Sequence, residues 1–399
     1  ERAFASIFDS NLTTFLTAFF LYVLGQGPLR GFAITLMIGI ATSFFSAVYI
    51  SRVMIEWMMR KGDASNITFS TRFSSLFEGV RHFDFIGKRK VTYLVSGVII
   101  LAGFLLMFLQ GLNLGVDFKG GRSFVVTFSN PVVATDLRVA LATSFENQGT
   151  EVKNYGSNNV MKVTTSYLID DDSDEADDKV KQALIKGVSS FTKLEYTGQD
   201  NLIDEKHFSI SSSTKVGATV ADDIKDSAFK ASLFSLLGIF FYLLIRFRKW
   251  QYSAGAIIAT VHDGLFVFAA FAIARAFGFS FEIDQVFVAA ILTIIGYSIN
   301  DTVIIYDRIR EQLKMGTQSD RTQVFNEALN ITLSRTLITS GTTLFVVVVL
   351  LFFGGEVLRG FSFALFVGIV VGTYSSIFIA APVVIDFDRR LKLQPGKVV

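Results

Sequence analysis

Asp301 is a carboxylate inside an otherwise apolar stretch, residues 286–305. Moving a charge into hydrocarbon costs at least about 3 kcal/mol, so such a residue usually faces a cavity or a polar partner. Ser298, Asn300 and Thr302 flank it and form a polar patch on the same segment. We therefore predict that Asp301 binds and releases a proton.

Three further ionisable residues lie in apolar segments at related depths. Asp301 and Arg335 each lie about 18 residues, or about 27 Å at 1.5 Å per residue, from the same end of consecutive predicted helices, so they could pair. By the same count Asp9 lies in that layer, while Asp263, beside His262, lies nearer mid-membrane. We predict that these residues form a proton pathway. Its members are Asp301, Arg335, Asp263 and Asp9, with Ser298, Asn300, Thr302 and His262 as polar support.

Each of these residues also has a purely structural interpretation. Arg335 could snorkel to the membrane surface. Asp9 could cap its helix, with hydroxyl and amide side chains nearby. Asp263 and His262 could be a hydrogen-bond node that only stabilises the fold, and Asp301 could be structural too.

The composition indicates a bundle of membrane helices with a soluble part. The chain is 51% hydrophobic with a mean hydropathy of +0.48. It has no cysteine, which excludes disulfides, thiolate metal sites and cysteine nucleophiles, and its three histidines are too few for a metal cluster. No nucleotide-binding signature occurs, so any energy must come from an ion gradient or a partner. We predict no catalytic site, no metal and no cofactor, and hence not an enzyme.

Eight membrane spans can be drawn from hydropathy. They are residues 7–25, 31–55, 91–110, 228–247, 254–277, 286–306, 334–353 and 360–387. Lysine and arginine are concentrated in alternate loops, as they are on the cytoplasmic side of membrane proteins. Both ends are therefore predicted to be cytoplasmic, and the long insert, residues 111–225, to lie outside.

The insert has the pattern of a separate α+β domain. Alternation predicts strands at 123–128, 151–155, 160–167 and 207–213, with a turn at 156–159, and helical spacing predicts helices at 134–146 and 175–189. The order βαββαβ predicts a ferredoxin-like fold. The acidic run 170–175 lacks the glycine and terminal glutamate of an EF-hand, so we interpret it as a solvated loop rather than a calcium site.

An internal repeat divides the membrane part into two halves. Leu29-Arg-Gly-Phe32 recurs as Leu358-Arg-Gly-Phe361, and each copy opens a long span rich in small residues. Repeated membrane units are typical of transporters. The small residues in 31–46 and 360–376 are predicted to be close-packing positions between helices. The first copy has only its last two helices, so we expect the N-terminal part of a longer protein to be missing.

Several motifs together resemble the SecD/SecF family of protein-export membrane proteins, in the resistance-nodulation-division superfamily. The matching motifs are Gly115-Val-Asp-Phe-Lys-Gly-Gly121, Val261-His-Asp263, Gly296-Tyr-Ser-Ile-Asn-Asp-Thr-Val303, Asp307-Arg-Ile-Arg-Glu311 and Ser334-Arg-Thr336. Residues 81–390 look like a complete SecF half, and residues 1–59 look like the last two spans of SecD.

The resemblance implies a division of the chain like that of a fused SecDF. The parts are two SecD-like helices (1–59), a cytoplasmic linker (60–90), a first SecF-like helix (91–110), a periplasmic domain (111–225), a five-helix bundle (226–390) and a cytoplasmic tail (391–399).

The resemblance also implies a function. The chain would be a proton-motive-force-driven accessory subunit of the Sec translocon in the bacterial cytoplasmic membrane, with Asp301 and Arg335 at the family's proton-pathway positions. Its partners would be the translocon channel and its membrane subunits, the unfolded exported polypeptide and the lipid bilayer, with no nucleic acid. Two alternatives stay open: an exporter of small molecules or lipids from the same superfamily, and a passive structural subunit of the translocon.

Overall fold

The computed structural model describes residues 2–61, 83–171, 173–198, 206–279, 281–315 and 320–388. Eight helices in these ranges are long and apolar enough to cross a membrane, which confirms the predicted number of spans. Most of the predicted linker (residues 62–82) and the predicted tail (391–399) lie outside the described residues.

The first four helices contain three membrane spans. They are α1 (Arg2–Leu24), α2 (Pro28–Phe45), α3 (Ser51–Lys61) and α4 (Arg89–Gln110). A π-helical turn, Ser46–Ile50, joins α2 to α3. Gly27 makes the turn after α1, and its φ of 52° favours glycine. Pro28 then begins α2, because the first turn of a helix needs no backbone N–H.

A small mixed sheet follows a short helix, α5 (Val116–Lys119). Its elements, together called the sheet domain (residues 121–216), are β1 (Gly121–Phe128), α6 (Ala134–Ser144), β2 (Thr150–Tyr155), β3 (Ser157–Thr165), α7 (Asp174–Thr192), β4 (Glu195–Tyr196) and β5 (His207–Val216). The strand order is β2-β3-β1-β5-β4, antiparallel except between β4 and β5. Leu137 and Leu184, one from each of the two helices, are fully buried in the apolar core beside the sheet.

Two details of the sheet domain differ from the sequence prediction. The predicted four-residue turn 156–159 is wrong, because Gly156 alone separates β2 from β3. Its φ of 82° permits this tight reversal. The two-residue strand β4 was not predicted, since two residues are too short to show alternation. The ferredoxin-like classification stays a prediction.

The remaining helices form the larger membrane bundle. They are α8 (Ala218–Phe247), α9 (Trp250–Ala276), α10 (Gln285–Met315), α11 (Arg321–Phe353), α12 (Gly355–Ser375) and α13 (Ala381–Phe387). A second π-helical turn, Ser376–Ala380, joins the last two. Helix α10 is central, because 72% of its apolar stretch is buried, compared with 6% for the span Pro28–Met59.

Glycines allow some of these helices to approach closely, but not all. A Cβ at Gly296 of α10 would meet Thr14 of α1 at 2.8 Å, and one at Gly368 of α12 would collide with Ile294. The close-packing prediction is therefore right for Gly368. It is wrong for Gly31 and Gly39, where a Cβ would meet nothing within 4 Å.

The two copies of the repeated motif meet in space. The rings of Phe32 and Phe361 are in edge-to-face contact, with centroids 6.3 Å apart. Each ring sits near the start of its helix, α2 or α12. The sequence repeat therefore corresponds to a contact between equivalent helix ends.

The sheet domain is attached to the bundle at the loop between α9 and α10. Leu114 and Ile283 form a parallel β-bridge, and Asn113 donates to the carbonyl of Phe281 at 3.0 Å. Glu282 forms ion pairs with Lys162 of β3 (2.5 Å) and Lys153 of β2 (3.5 Å). Lysine side chains of the sheet thus bind the loop that joins α9 to α10.

Candidate functional site

Asp263 is fully buried between three membrane helices. Its Oδ2 accepts hydrogen bonds from Ser298 Oγ of α10 (2.5 Å) and Ser375 Oγ of α12 (2.8 Å). Its Oδ1 is 3.0 Å from Nδ1 of His262, the neighbouring residue on α9. A carboxyl group in hydrocarbon needs such partners, since water is absent there.

A π-helical turn presents two consecutive serines to this cluster. Ser375 ends α12 and binds Asp263, and Ser376 begins the π turn, where its Oγ contacts Thr302 Oγ1 at 3.2 Å. Extra residues of this kind re-aim side chains and are frequent at functional sites. The serines of α12 were missed by the sequence prediction, although their place in a small-residue repeat was visible.

Asp301 lies one helical turn beyond Ser298 on α10 and is buried. Its Oδ2 accepts a 3.4 Å hydrogen bond from Ser340 Oγ of α11, and Ser340 in turn accepts from Thr373 Oγ1 of α12 at 2.7 Å. A long bond to a single hydroxyl leaves this carboxyl group weakly held. Asp301 therefore has fewer and longer hydrogen bonds than Asp263.

Arg335 does not pair with Asp301 in this structure. Among the described residues no ion pair joins them, and Arg335 is exposed on α11. Arg335 is five residues before Ser340, the residue of α11 that does bond Asp301. Counting residues gives a position along the helix but does not define the direction of the side chain, so the pairing of Arg335 with Asp301 stays a prediction for another conformation.

Asp9 belongs to a separate ionic cluster. Its carboxylate accepts from Arg246 Nε (2.6 Å) and from the Tyr242 hydroxyl (2.5 Å) of α8, and Arg246 also bonds Asp307 of α10 at 3.0 Å. The alternative that Asp9 caps its helix is wrong, because α1 begins at Arg2. We call Asp9, Tyr242, Arg246 and Asp307 the ionic cluster.

The ionic cluster contains three residues that the sequence analysis did not assign to the site, Tyr242, Arg246 and Asp307. Arg246 lies at the end of the predicted span 228–247 and Asp307 begins the motif Asp307–Glu311, yet each is only partly exposed and bonded across helices. The partners are far apart in sequence, so no local spacing could have identified them.

The predicted polar support is only partly assembled around the carboxyl groups. Ser298 bonds Asp263, and Thr302 bonds the neighbouring Ser376. Asn300 and His262 each keep a buried polar atom, Oδ1 and Nε2, that has no hydrogen-bond partner among the described side chains and backbone. Within the described ranges, no three His, Asp or Glu residues are grouped so as to hold a metal ion.

Hydroxyl groups are suitable partners for a carboxyl group that changes its protonation. A serine hydroxyl donates to an ionised carboxylate and accepts from a protonated one by rotating its hydrogen. An arginine or lysine can only donate, and so it favours the ionised form alone. The partners of Asp263 and Asp301 on α10, α11 and α12 are all serines. This arrangement can therefore accommodate a proton on either carboxyl group.

Comparison with known proteins identifies the family. The model of the protein export membrane protein SecD/SecF C-terminal family matches residues 5–61 and 199–390, and that of the SecD/SecF GG motif matches residues 105–132. The protein translocase subunit SecF of Rhodothermus marinus is 42% identical over 316 residues, which are 79% of this chain and 96% of that protein. SecDF of Brucella abortus is 36% identical over 98% of this chain.

Solved structures agree with these sequence matches. The crystal structure of SecDF from Thermus thermophilus, described as a translocon-associated membrane protein, superposes with a TM-score of 0.80 at 30% identity and covers 97% of this chain. SecDF in its super-membrane-facing form gives a TM-score of 0.68 at 29% identity. The chain spans about half the length of these SecDF proteins, 48% and 49%, and nearly all of the SecF subunit. Together these matches show that the chain belongs to the SecD/SecF family of protein export membrane proteins.

Proposed function

We propose that this chain is an accessory subunit of the Sec translocon that uses the proton-motive force to promote protein export across the bacterial cytoplasmic membrane. The family membership and the translocon association of the related SecDF structure support the export role. The observation that carries the proton coupling is the pair of buried carboxyl groups, Asp263 and Asp301, held by serine hydroxyls from three helices.

In this proposal Asp301 is the group that carries the proton. The carboxyl group changes from charge −1 to 0 when it takes up a proton from one side, and returns to −1 when it releases the proton to the other. Arg335, exposed here, would pair with the ionised carboxylate in a second conformation. Because a charge in hydrocarbon costs at least about 3 kcal/mol, each change of protonation favours a different packing of α10 against α11.

Asp263 and the ionic cluster would have supporting roles. Asp263 is anchored by two serines and His262, so it would keep α9, α10 and α12 in register while Asp301 titrates. Asp9, bonded to Arg246, would tie α1 to α8 at the far end of the proton route.

The orientation and division of the chain complete the proposal. Both ends would lie in the cytoplasm and residues 111–225 in the periplasm, where the sheet domain would contact emerging polypeptide. Residues 1–59 would be the last two membrane helices of a SecD-like half, and residues 60–90 a cytoplasmic linker. Residues 91–110 would be the first SecF-like helix and residues 226–390 the five-helix SecF-like bundle. The lysine- and arginine-rich alternate loops support this orientation.

Export by cells that carry Asp301→Asn in the chromosomal copy tests the proposal. Pulse-labelled precursor of a secreted protein should accumulate several-fold above the wild type, and the difference should vanish when a protonophore removes the gradient from both strains. The matched control is Asp226→Asn, an exposed carboxylate paired with Lys230. Normal export by Asp301→Asn would favour a passive structural subunit instead.

A further inference from the structure

A cavity of about 430 Å³ opens between α8, α9 and α10 near the sheet domain. Its walls include Phe229 and Leu236 of α8, Leu265 and Phe268 of α9 and Ile291 of α10. Its volume is in the range of ligand pockets, about 300–1,000 Å³. The cavity lies apart from the serines that hold Asp263 and Asp301.

The cavity lies between membrane-spanning parts of the helices and opens at the side of the bundle. Its α10 walls run from Phe287 to Ile295, about 12 Å along the span at 1.5 Å per residue. Phe229 and Leu265 on its edge are 68% and 37% exposed, so the opening faces out of the bundle. In a bilayer this opening meets hydrocarbon, and an apolar cavity there does not fill with water.

The described residues of the cavity walls have no free hydrogen-bonding group for a polar ligand inside the cavity. Ser232 and Thr260 are the hydroxyl-bearing residues of the lining, and each donates to a carbonyl of its own helix, those of Ala228 and Ala256, at 2.9 Å. Both hydroxyls are therefore satisfied. The buried part of any occupant has to be apolar.

A cationic side chain lies at the edge of the cavity. Lys225 of α8 lines the cavity at the end near the sheet domain, and its partner is the exposed Asp222 at 2.7 Å. An exposed pair of this kind is worth only about 0–1 kcal/mol, so the ammonium group can exchange this carboxylate for a phosphate. A lysine beside the membrane surface attracts anionic lipid headgroups.

We propose that this cavity is a binding site for an anionic glycerophospholipid of the leaflet next to the sheet domain. One acyl chain fills the cavity between α8, α9 and α10, and the lipid phosphate binds Lys225. Lipid binding at this cavity does not depend on the translocation role. The site would join the three helices through a lipid at the point where the sheet domain is attached.

Gly264 provides a sharp variant for testing the site. It lines the cavity, and a Cβ atom built there meets nothing within 4 Å, so Gly264→Leu directs its side chain into open space. Gly97 of α4 is the matched control, since its surroundings are equally open and it does not line the cavity. Both changes replace glycine in a helix interior by a better helix former.

The experiment uses the purified protein in phosphatidylcholine vesicles with a trace of phosphatidylglycerol that carries a diazirine on one acyl chain. After illumination, labelled peptides are located by mass spectrometry. We expect labelling concentrated on 225–236 and 260–268, reduced at least about fivefold by Gly264→Leu and unchanged by Gly97→Leu. Lys225→Gln should lower labelling by phosphatidylglycerol more than labelling by a zwitterionic probe with the same chain, whereas Lys230→Gln should not.

Two outcomes would overturn the proposal. One is labelling spread evenly over exposed helices such as α4 and equal in both leucine variants, which means ordinary contact with bulk lipid. The other is displacement of the lipid probe by an apolar peptide at equal concentration, which means that the cavity takes exported or partner polypeptide.

Discussion

Ser298 Oγ donates a 2.5 Å hydrogen bond to Asp263 Oδ2 across the α9–α10 interface. Ser298 is three residues before Asp301, so the two positions are neighbours on one face of α10. The contact therefore fixes α9 against the segment of α10 that carries the second carboxyl group. A shift of this part of α10 relative to α9 therefore stretches or breaks the hydrogen bond between Ser298 and Asp263.

Ser298→Ala is predicted to destabilise the bundle. It removes one of two serine partners from a fully buried carboxyl group, a loss of about 1–3 kcal/mol. The thermal midpoint of the protein in detergent should fall by several degrees. Ser232→Ala, which removes a hydroxyl bonded only to its own helix, should leave the midpoint nearly unchanged. Equal midpoints for the two variants would show that the Asp263 contact adds no stability.

Arg246→Met is predicted to destabilise the ionic cluster. The change leaves Asp9 and Asp307 without their shared cation, and Asp9 is only 6% exposed at its side chain. Leaving a carboxylate buried and unpaired should cost about 2 kcal/mol, because Arg246 itself is partly exposed. Arg248→Met, at the next exposed arginine of the same helix end, is the control. The double variant Asp9→Asn with Arg246→Met should lose less than the sum of the singles.

Asp284, just outside the membrane span, should make stability depend on pH. Burial raises the pKa of its carboxyl group to about 6; Asp117 and Glu282 add to the shift, against the Phe287 backbone N–H and Lys162. A folded-state pKa above the unfolded value means that the folded state binds more protons between about pH 4 and 6. Stability contributed by this group should therefore be present below pH 4 and lost as the pH rises through 6.

Asp284→Asn checks this pH dependence. The amide can still accept from the Phe287 backbone N–H, as the carboxylate does at 2.8 Å. The variant should equal the wild type near pH 4 and exceed it at pH 7.5, by at most about 3 kcal/mol at about 1.4 kcal/mol per pKa unit. Thermal melts across this pH range measure the difference. A difference that is constant with pH would contradict the assignment.

Glu282→Gln is predicted to loosen the sheet domain from the bundle. It removes the ion pairs with Lys153 and Lys162, which are worth roughly 1 kcal/mol together. Hydrogen exchange of the Gly115 amide, which donates to the Ile283 carbonyl at 2.9 Å, should accelerate roughly fivefold. Glu175→Gln, an exposed change on the same domain, should leave this amide unaffected. Unchanged exchange in Glu282→Gln would show that the β-bridge alone holds the domain.

Hydropathy was enough to predict the eight spans, and it singled out Asp301 as a carboxyl group inside one of them, because both follow from the energy of burying polar groups in hydrocarbon. Counting residues gives depth along a helix axis but not rotation about it. For this reason the exposed position of the Arg335 side chain could not be predicted. Asp9 and Arg246 are 237 residues apart, so their bond depends on helix packing that no local pattern encodes.

The π-helical turn also escaped prediction. Ser375 and Ser376 are consecutive, and in a regular helix they would point about 100° apart. Both nevertheless contact the buried cluster where the helix changes to π geometry, Ser375 at Asp263 and Ser376 at Thr302. The sequence contains the serines, but the change of helical pitch depends on the packing of α12 against α10.

Proton uptake through the protein in sealed vesicles is the most direct test of the central claim that Asp301 carries protons. Vesicles with the wild-type protein, Asp301→Asn and the exposed control Asp226→Asn would be loaded with a pH-sensitive dye and given a pH jump with a compensated membrane potential. We predict that the wild type and Asp226→Asn conduct protons while Asp301→Asn falls to the level of protein-free vesicles. Proton flux through Asp301→Asn equal to that of the wild type would contradict the account.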